Sequence, residues 1–351
     1  MTPEKQRFIA YSCSYAPIQL INAAGYVPYR ILPEKTVKER AGVFMHDNLC
    51  SHVKQILNRG ISNELPELDG IVFVNSCDAM RRLSSAWKAA RPLDNVFVIE
   101  LPSVINNTAI EFFAQEFIRF ADKLSQWSDK KISIEDVIKS ISQYNELVDL
   151  IKQLQVHVQN LSVDLDYRQL QEFYFFTNTN TLAKSITFAK ELLSNTKEIR
   201  NRNGVPVYLF GNIHPTIEMC EQLKLCGVNI IDDNLCTGSG SWYHVESQYS
   251  TDIYTAMAKS FLTEKPCARI VDTNDLYRLA RNILSRAQAV NVKGVIGYTL
   301  KFCDPFLAYM PVIREILREA SLPLLVLEGD CTSGLSGQQQ TRIEAFVERI
   351  R

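Results

Sequence analysis

Short apolar runs that alternate with helical patterns restrict this chain more than anything else in it. GYVPYRIL, GIVFVNS and VFVIELP are separated by helical readings, one from about Asn48 to Asn58 and one over Ala79–Ala90. Parallel strands need a crossover that a helix supplies, so the alternation predicts βαβ units and a parallel sheet. From about Ile110 to Arg200 no strand-like run occurs. There Val137, Ile141, Tyr144, Val148 and Ile151 recur at three- and four-residue spacing, which predicts helices. After Asn203-Gly204 strand signals return as PVYLFGN, GVNIIDDN, GVIGYTLKF and PLLVLEGD, each followed by residues able to form a helix. The expectation is an α/β protein with one lobe over residues 1–110, a helical segment over 111–200 and a second lobe over 201–351. A chain of 351 residues with 46% hydrophobic content can bury a core of that size.

Composition removes several classes of function. Basic and acidic residues number 38 and 39 and are interspersed, so no electrostatic footprint for nucleic acid or an anionic membrane is present. The opening MTPEKQRFIAYSCSYAP has no run of signal-peptide type, and no stretch reaches the roughly 18 uninterrupted apolar residues of a spanning helix. A cytoplasmic protein is expected. No GxSxG elbow, P-loop or GxGxxG fingerprint occurs, which argues against the common hydrolase and nucleotide-binding frameworks. Nine cysteines in a reducing compartment are not expected to form disulfides, which leaves metal ligation, catalysis or packing.

Their positions separate these roles. Doubly wound sheets bind ligands outside the carboxyl ends of their strands. Cys77 follows GIVFVNS, Cys236 lies two residues beyond GVNIIDDN, Cys303 follows GVIGYTLKF and Cys331 follows PLLVLEGD. Cys77 and Cys303 are each followed by Asp, as NSCD and FCDP, and Pro305 restricts the second turn. Peptide N–H groups in such turns and at the next helix start stabilise thiolates and cluster sulfides. Cys220, Cys226 and Cys267 read as small packing residues, and no compact CxxC pair is present. A zinc site from His46, Cys50 and Cys77 is an alternative, because His46 and Cys50 are four apart and would share a helix face. His214 and His244 are candidate acid/base groups, and Asp78, Asp232, Asp233 and Asp304 candidate acceptors that orient the cysteine turns.

Taken together, Cys13–Ile31 (CSYAPIQLINAAGYVPYRI), Leu49–Leu57 (LCSHVKQIL), Leu68–Trp87, Gly227–Gly238 (GVNIIDDNLCTG), Lys301–Leu317 (KFCDPFLAYMPVIREIL) and Leu322–Glu348 resemble one family along nearly the whole chain. It is the D-component family of 2-hydroxyacyl-CoA dehydratases, which includes the subunits of ATP-dependent benzoyl-CoA reductase. The resemblance implies two flavodoxin-like parallel-sheet lobes with a helical segment between them. It implies a [4Fe-4S] cluster held by Cys50, Cys77 and Cys303, with the fourth iron open or capped by a small ligand. It also implies an anaerobic chemistry: a separate ATP-hydrolysing iron–sulfur activator injects one low-potential electron, and the acyl-CoA thioester becomes a ketyl radical anion that expels its hydroxyl. Ring reduction of an aromatic acyl-CoA is the other family reaction. Implied partners are a homologous subunit in a heterodimer, or a second copy in a homodimer, with this short chain resembling the electron-relay member.

Three further thiols, Cys13, Cys236 and Cys331, stand at matching motifs and bring the set to six. A branch of the family carries a double-cubane [8Fe-9S] cluster, which needs about that many ligands, so this reading stays open beside the single cubane. A cluster-binding protein without catalysis is a third. The family usually has an arginine after DDNLCTG, where this chain has Ser239 and Ser241.

Overall fold

The computed structural model describes residues 6–34, 39–200, 202–213, 216–247 and 252–351. The first lobe runs β1 (Phe8–Tyr11), α1 (Ile18–Ala23), β2 (Val27–Arg30), α2 (Ser51–Ile61), β3 (Gly70–Val74), α3 (Asp78–Ala90) and β4 (Val96–Ile99). A short β5 (Val104–Ile105) leads into α4 (Asn107–Ser128), α5 (Ile134–Gln159), α6 (Tyr167–Thr179) and α7 (Leu182–Asn195). The second lobe follows as β6 (Val205–Gly211), α8 (Ile217–Leu225), β7 (Val228–Asn234), α9 (Ile253–Thr263), β8 (Val271–Asp272), α10 (Arg278–Ala289), β9 (Gly294–Leu300), α11 (Asp304–Glu319), β10 (Leu324–Gly329) and α12 (Gly337–Ile350).

Each lobe holds a four-stranded parallel sheet, in the orders β2-β1-β3-β4 and β10-β9-β6-β7. The two orders are the same winding: the first strand of each lobe is one of the two inner strands, and the chain builds outward from it in both directions. Each sheet therefore has a switch point, between β1 and β3 and between β6 and β9, where the loops leave toward opposite sides and open a crevice. At the second switch point Gly211 ends β6 so close to β9 that a Cβ there would collide with the Tyr298 carbonyl.

The strands β3, β7 and β9 are buried along their whole length, as expected of sheets covered on both faces. Capping boxes fix the starts of α5 (Ser133, Asp136), α6 (Asp166, Gln169) and α12 (Ser336, Gln339). Helix α5 ties the lobes together. Its Ser140 donates to the Gln19 carbonyl of α1 at 2.8 Å, while Asn145 bonds the Val245 backbone beyond β7 in both directions. One apolar core runs through residues of both sheets, from Ala10 and Ile71 to Ile296 and Leu325. No helix of the described residues is long and apolar enough to cross a membrane.

Two sequence expectations need correction. The first lobe contains a strand that the sequence reading omits, β1, and it is one of the two inner strands. Its FIAY run is four residues long beside a polar N-terminal stretch, too short to register as a pattern. Helix α2 starts at Ser51, not near Asn48. Asn48 donates its amide to His46 Nδ1 at 3.2 Å and Leu49 donates to the His46 carbonyl at 3.3 Å, so a turn occupies 46–49. His46 and Cys50 thus share no helix face, and exposed His46 stands outside the site.

Candidate functional site

Three cysteines begin helices. Cys50 is the N-cap of α2, Cys77 of α3 and Cys303 of α11, each at the first residue before regular helical backbone. The reason is local: each follows a strand or turn in extended or irregular conformation, and an acid or proline opens the helix after Cys77 and Cys303. The Met80 amide donates to the Cys77 sulfur at 3.5 Å. An N-terminal helix end offers free N–H groups and the positive end of its dipole, which is where an anionic sulfur is best accommodated.

All three line one cleft between the lobes, together with Cys13, Cys236 and Cys267. Cys13 follows β1, Cys77 follows β3, and Cys303 follows β9, so the thiols gather at both switch points. Cys331 does not line the cleft. It is 1% exposed behind the start of α2, where its amide donates to Ser51 Oγ at 3.3 Å. Cys267, read from sequence as packing, does line it, whereas Cys220 is buried in α8 and does not line the cleft.

Burial dominates the chemistry of these sulfurs. It pushes the Cys77 thiol up to about 11 against the pull of the Met80 amide, and the Cys303 thiol to about 12 against the Phe306 amide and the Asn212 side chain. Cys50 is raised by burial too, with the amides of Val53 and His52 opposing. Cys267 goes to about 12 by burial, opposed by the charge of Lys265. At neutral pH these groups are thiols until a metal centre displaces their protons. Soft sulfur donors in such number suit iron–sulfur clusters, Cu(I) or zinc, and a bound centre here would be reached by backbone N–H groups from three helix ends. Among the described residues no three His, Cys, Asp or Glu side chains close on a single metal ion.

The profile of the family described as 2-hydroxyglutaryl-CoA dehydratase, D-component, matches residues 13–350. The chain belongs to this family. It is therefore a dehydratase-type enzyme subunit. Similar curated proteins include the (R)-phenyllactyl-CoA dehydratase beta subunit of Clostridium sporogenes, 22% identical over 98% of this chain and 92% of that one. The lactoyl-CoA dehydratase subunit beta of Anaerotignum propionicum is 24% identical over 96% and 90%, and a benzoyl-CoA reductase subunit of Thauera aromatica 21% over 99% and 91%. The solved structure of ZnuA aligns over 99% of this chain and 98% of its own at 10% identity, with a TM-score of 0.26, too slight a likeness to carry an argument.

In this D-component chain the corner after DDNLCTG is built from serines and borrowed guanidinium groups. Asp233 Oδ1 accepts from the amides of Leu235 and Ser239, both at 2.9 Å, and so folds the turn that presents Cys236. Asp232 instead pairs with Arg286 of α10 at 2.6 Å, and burial raises its carboxyl to about 6. Arg286 also donates to Ser239 Oγ at 3.1 Å, and Arg30, the last residue of β2, donates to Ser241 Oγ at 3.0 Å. Two arginines distant in sequence thus reach this corner.

The other candidates lie apart. Asp78 is exposed and paired with Arg81 at 2.9 Å, and Asp304 is exposed in the first turn of α11. His244 meets Asp149 at 2.7 Å on the surface, away from the cleft. His214 lies outside the described residues. Sequence reading missed His52, which lines the cleft from the first turn of α2 with both ring nitrogens buried and unpartnered. Burial, helped by Arg30, lowers its pKa to about 3, so it is a neutral imidazole. The signal for it was its place two residues after Cys50.

Proposed function

We propose that this chain is the iron–sulfur subunit of a 2-hydroxyacyl-CoA dehydratase-type enzyme, with Cys50, Cys77 and Cys303 as ligands of a [4Fe-4S] cluster. The observation that carries this reading is that three cysteines remote in sequence each cap a helix at the rim of one interlobe cleft. A cubane holds its thiolates at separate corners, so it asks for that spread rather than for convergence on a point. Bound there, the cluster supplies a one-electron donor and, at an iron without a protein ligand, a Lewis acid.

The chain's own residues do the rest. The three thiols give up their protons on loading, and the amides of Val53, Met80 and Phe306 then favour the charged sulfurs. Met80, Val53 and Phe306 line the cleft with apolar groups, and a low local dielectric strengthens charge interactions beside them. The relatives are named for phenyllactyl-CoA, lactoyl-CoA and benzoyl-CoA, and each is named as one subunit of its enzyme. By analogy the substrate here is an acyl-CoA, the reaction water elimination or ring reduction after a low-potential electron enters, and the partners a homologous subunit and an ATP-dependent iron–sulfur activator.

One observation favours a second reading, a double-cubane [8Fe-9S] ATP-dependent reductase: the cleft is lined by six thiols rather than three. In this version Cys13, Cys236 and Cys267 hold the second cubane, and Cys331 is not among the ligands. Iron and sulfide quantitation on anaerobically prepared protein tests both readings: about four irons per chain supports one cubane and about eight the double one. Protein that binds neither iron nor sulfide would refute both.

A further inference from the structure

Three Lys or Arg side chains are buried among the described residues, and one of them is ion-paired. Arg59, 3% exposed, meets Glu34 at 3.1 Å and the Leu32 carbonyl at 2.9 Å. The other two, beside the thiol cleft, have no such partner. Arg30 is 1% exposed and Lys265 4% exposed. Arg30 donates to the neutral Ser241 hydroxyl, lies 5.8 Å from the Tyr11 ring centroid, and has an Nε with no acceptor. Lys265 donates to the Ser14 hydroxyl and sits 5.1 Å from the Tyr15 ring centroid. Among the described residues neither makes an ion pair with a carboxylate, and no Asp or Glu lines the cleft.

An unpaired buried charge is strongly unfavourable, because the protein replaces neither the lost water nor a counter-ion. Two of them at one cleft mean that the missing negative charge arrives with what the cleft takes up. Arg30 itself lines the cleft, next to the unpartnered ring of His52, and Ser14, the acceptor for Lys265, lines it as well. We infer that Arg30 and Lys265 are fixed counter-charges for a thiolate-ligated, net-negative iron–sulfur centre, holding it in place and raising its reduction potential. This rests on the iron–sulfur reading above. Reduction adds one negative charge to the centre, and a nearby cation in a medium of low dielectric favours the reduced form. Both are positioning residues: they set the energy of the centre and need not touch substrate.

The test compares wild type with Arg30→Met, Arg30→Lys and Lys265→Met, as metal-free protein and after anaerobic reconstitution with iron and sulfide. Metal-free Arg30→Met and Lys265→Met are expected to melt several degrees above wild type, because an uncompensated buried charge has been replaced by an apolar chain. In the loaded proteins the midpoint potential, followed by EPR-monitored titration, shifts to lower values in the two Met variants and stays near wild type in Arg30→Lys. If Arg30→Met fails to hold iron, Arg30→Lys restores it. The proposal is overturned if metal-free Arg30→Met melts below wild type, if it carries full iron at an unshifted potential, or if Arg30→Lys loses iron as Arg30→Met does. Should wild type itself take up no iron, the iron–sulfur reading fails on its own, and the metal-free melts alone decide whether the cations await an anion.

Discussion

The amide of Cys331 donates to Ser51 Oγ at 3.3 Å, which fastens the loop after β10 to the first turn of α2 and so joins the two lobes beside Cys50. The Ser51 hydroxyl also favours the Cys331 thiolate, against the burial that raises this thiol to about 12. Cys331 is thereby a structural neighbour of the candidate ligands and not one of the cleft's walls.

Ser51→Ala should therefore cost stability without costing metal. It leaves one part-buried amide unsatisfied, worth about 1 kcal/mol. Urea denaturation of the metal-free variant should show that loss, while iron content after reconstitution stays at the wild-type level. A fall in iron content would mean that the lobe junction governs the cleft.

The cysteines divide by substitution. Cys50→Ser, Cys77→Ser and Cys303→Ser should each lose most of the bound iron, whereas Cys220→Ser and Cys331→Ser keep it. Cys267→Ser distinguishes the two cluster readings: iron stays near four per chain with a single cubane and drops from about eight toward four with a double one. Full iron in Cys77→Ser would contradict the ligand assignment.

How much of this was legible depends on the range of the interaction. The parallel α/β plan, the helical run after Ile110 and the strand-end positions of Cys77, Cys236 and Cys303 are local patterns, and they are plain in the chain. Strand β1 was too short to show a period, although Cys13 just after it belongs to the cleft. Cys267 lies in the polar stretch TEKPCARI, and only Pro266 before it hints at a fixed turn. Arg30 could not be recognised at all, because RILPE at the end of a strand looks like a solvated edge. Its burial comes from Ser241 and Tyr11, which only tertiary packing brings to it.

His52 makes the metal-free fold sensitive to acid. Burial depresses its pKa from 6.5 to about 3, so the folded state binds its proton later than the unfolded one does. The stability this contributes is present above pH 6.5 and is lost as pH falls toward 3. Asp232, raised to about 6, acts in the opposite sense between about pH 6 and 4, so the slope must be read as a difference between proteins. His52→Asn should flatten the acid limb of a stability profile relative to wild type. Equal slopes in the two proteins would show that the ring is protonated or solvated in the fold.

Phe302 offers a test of strain next to a candidate ligand. It has φ 62°, a left-handed backbone that suits Asn or Gly, and it stands immediately before Cys303 with its ring 48% exposed. The turn is held around it: Lys301 donates its amide to the Gly329 carbonyl at 3.1 Å, and Cys303 donates to the Leu300 carbonyl at 3.2 Å. These bonds force the conformation and set the direction in which Cys303 leaves β9. Phe302→Asn keeps the backbone and removes the strain, so the metal-free protein should gain about 1 kcal/mol in denaturant unfolding. Its iron content should not change, because the Cys303 turn is the same. If stability falls instead, the exposed ring is held by contacts worth more than the strain, and the turn is shaped by Phe302 rather than by its hydrogen bonds.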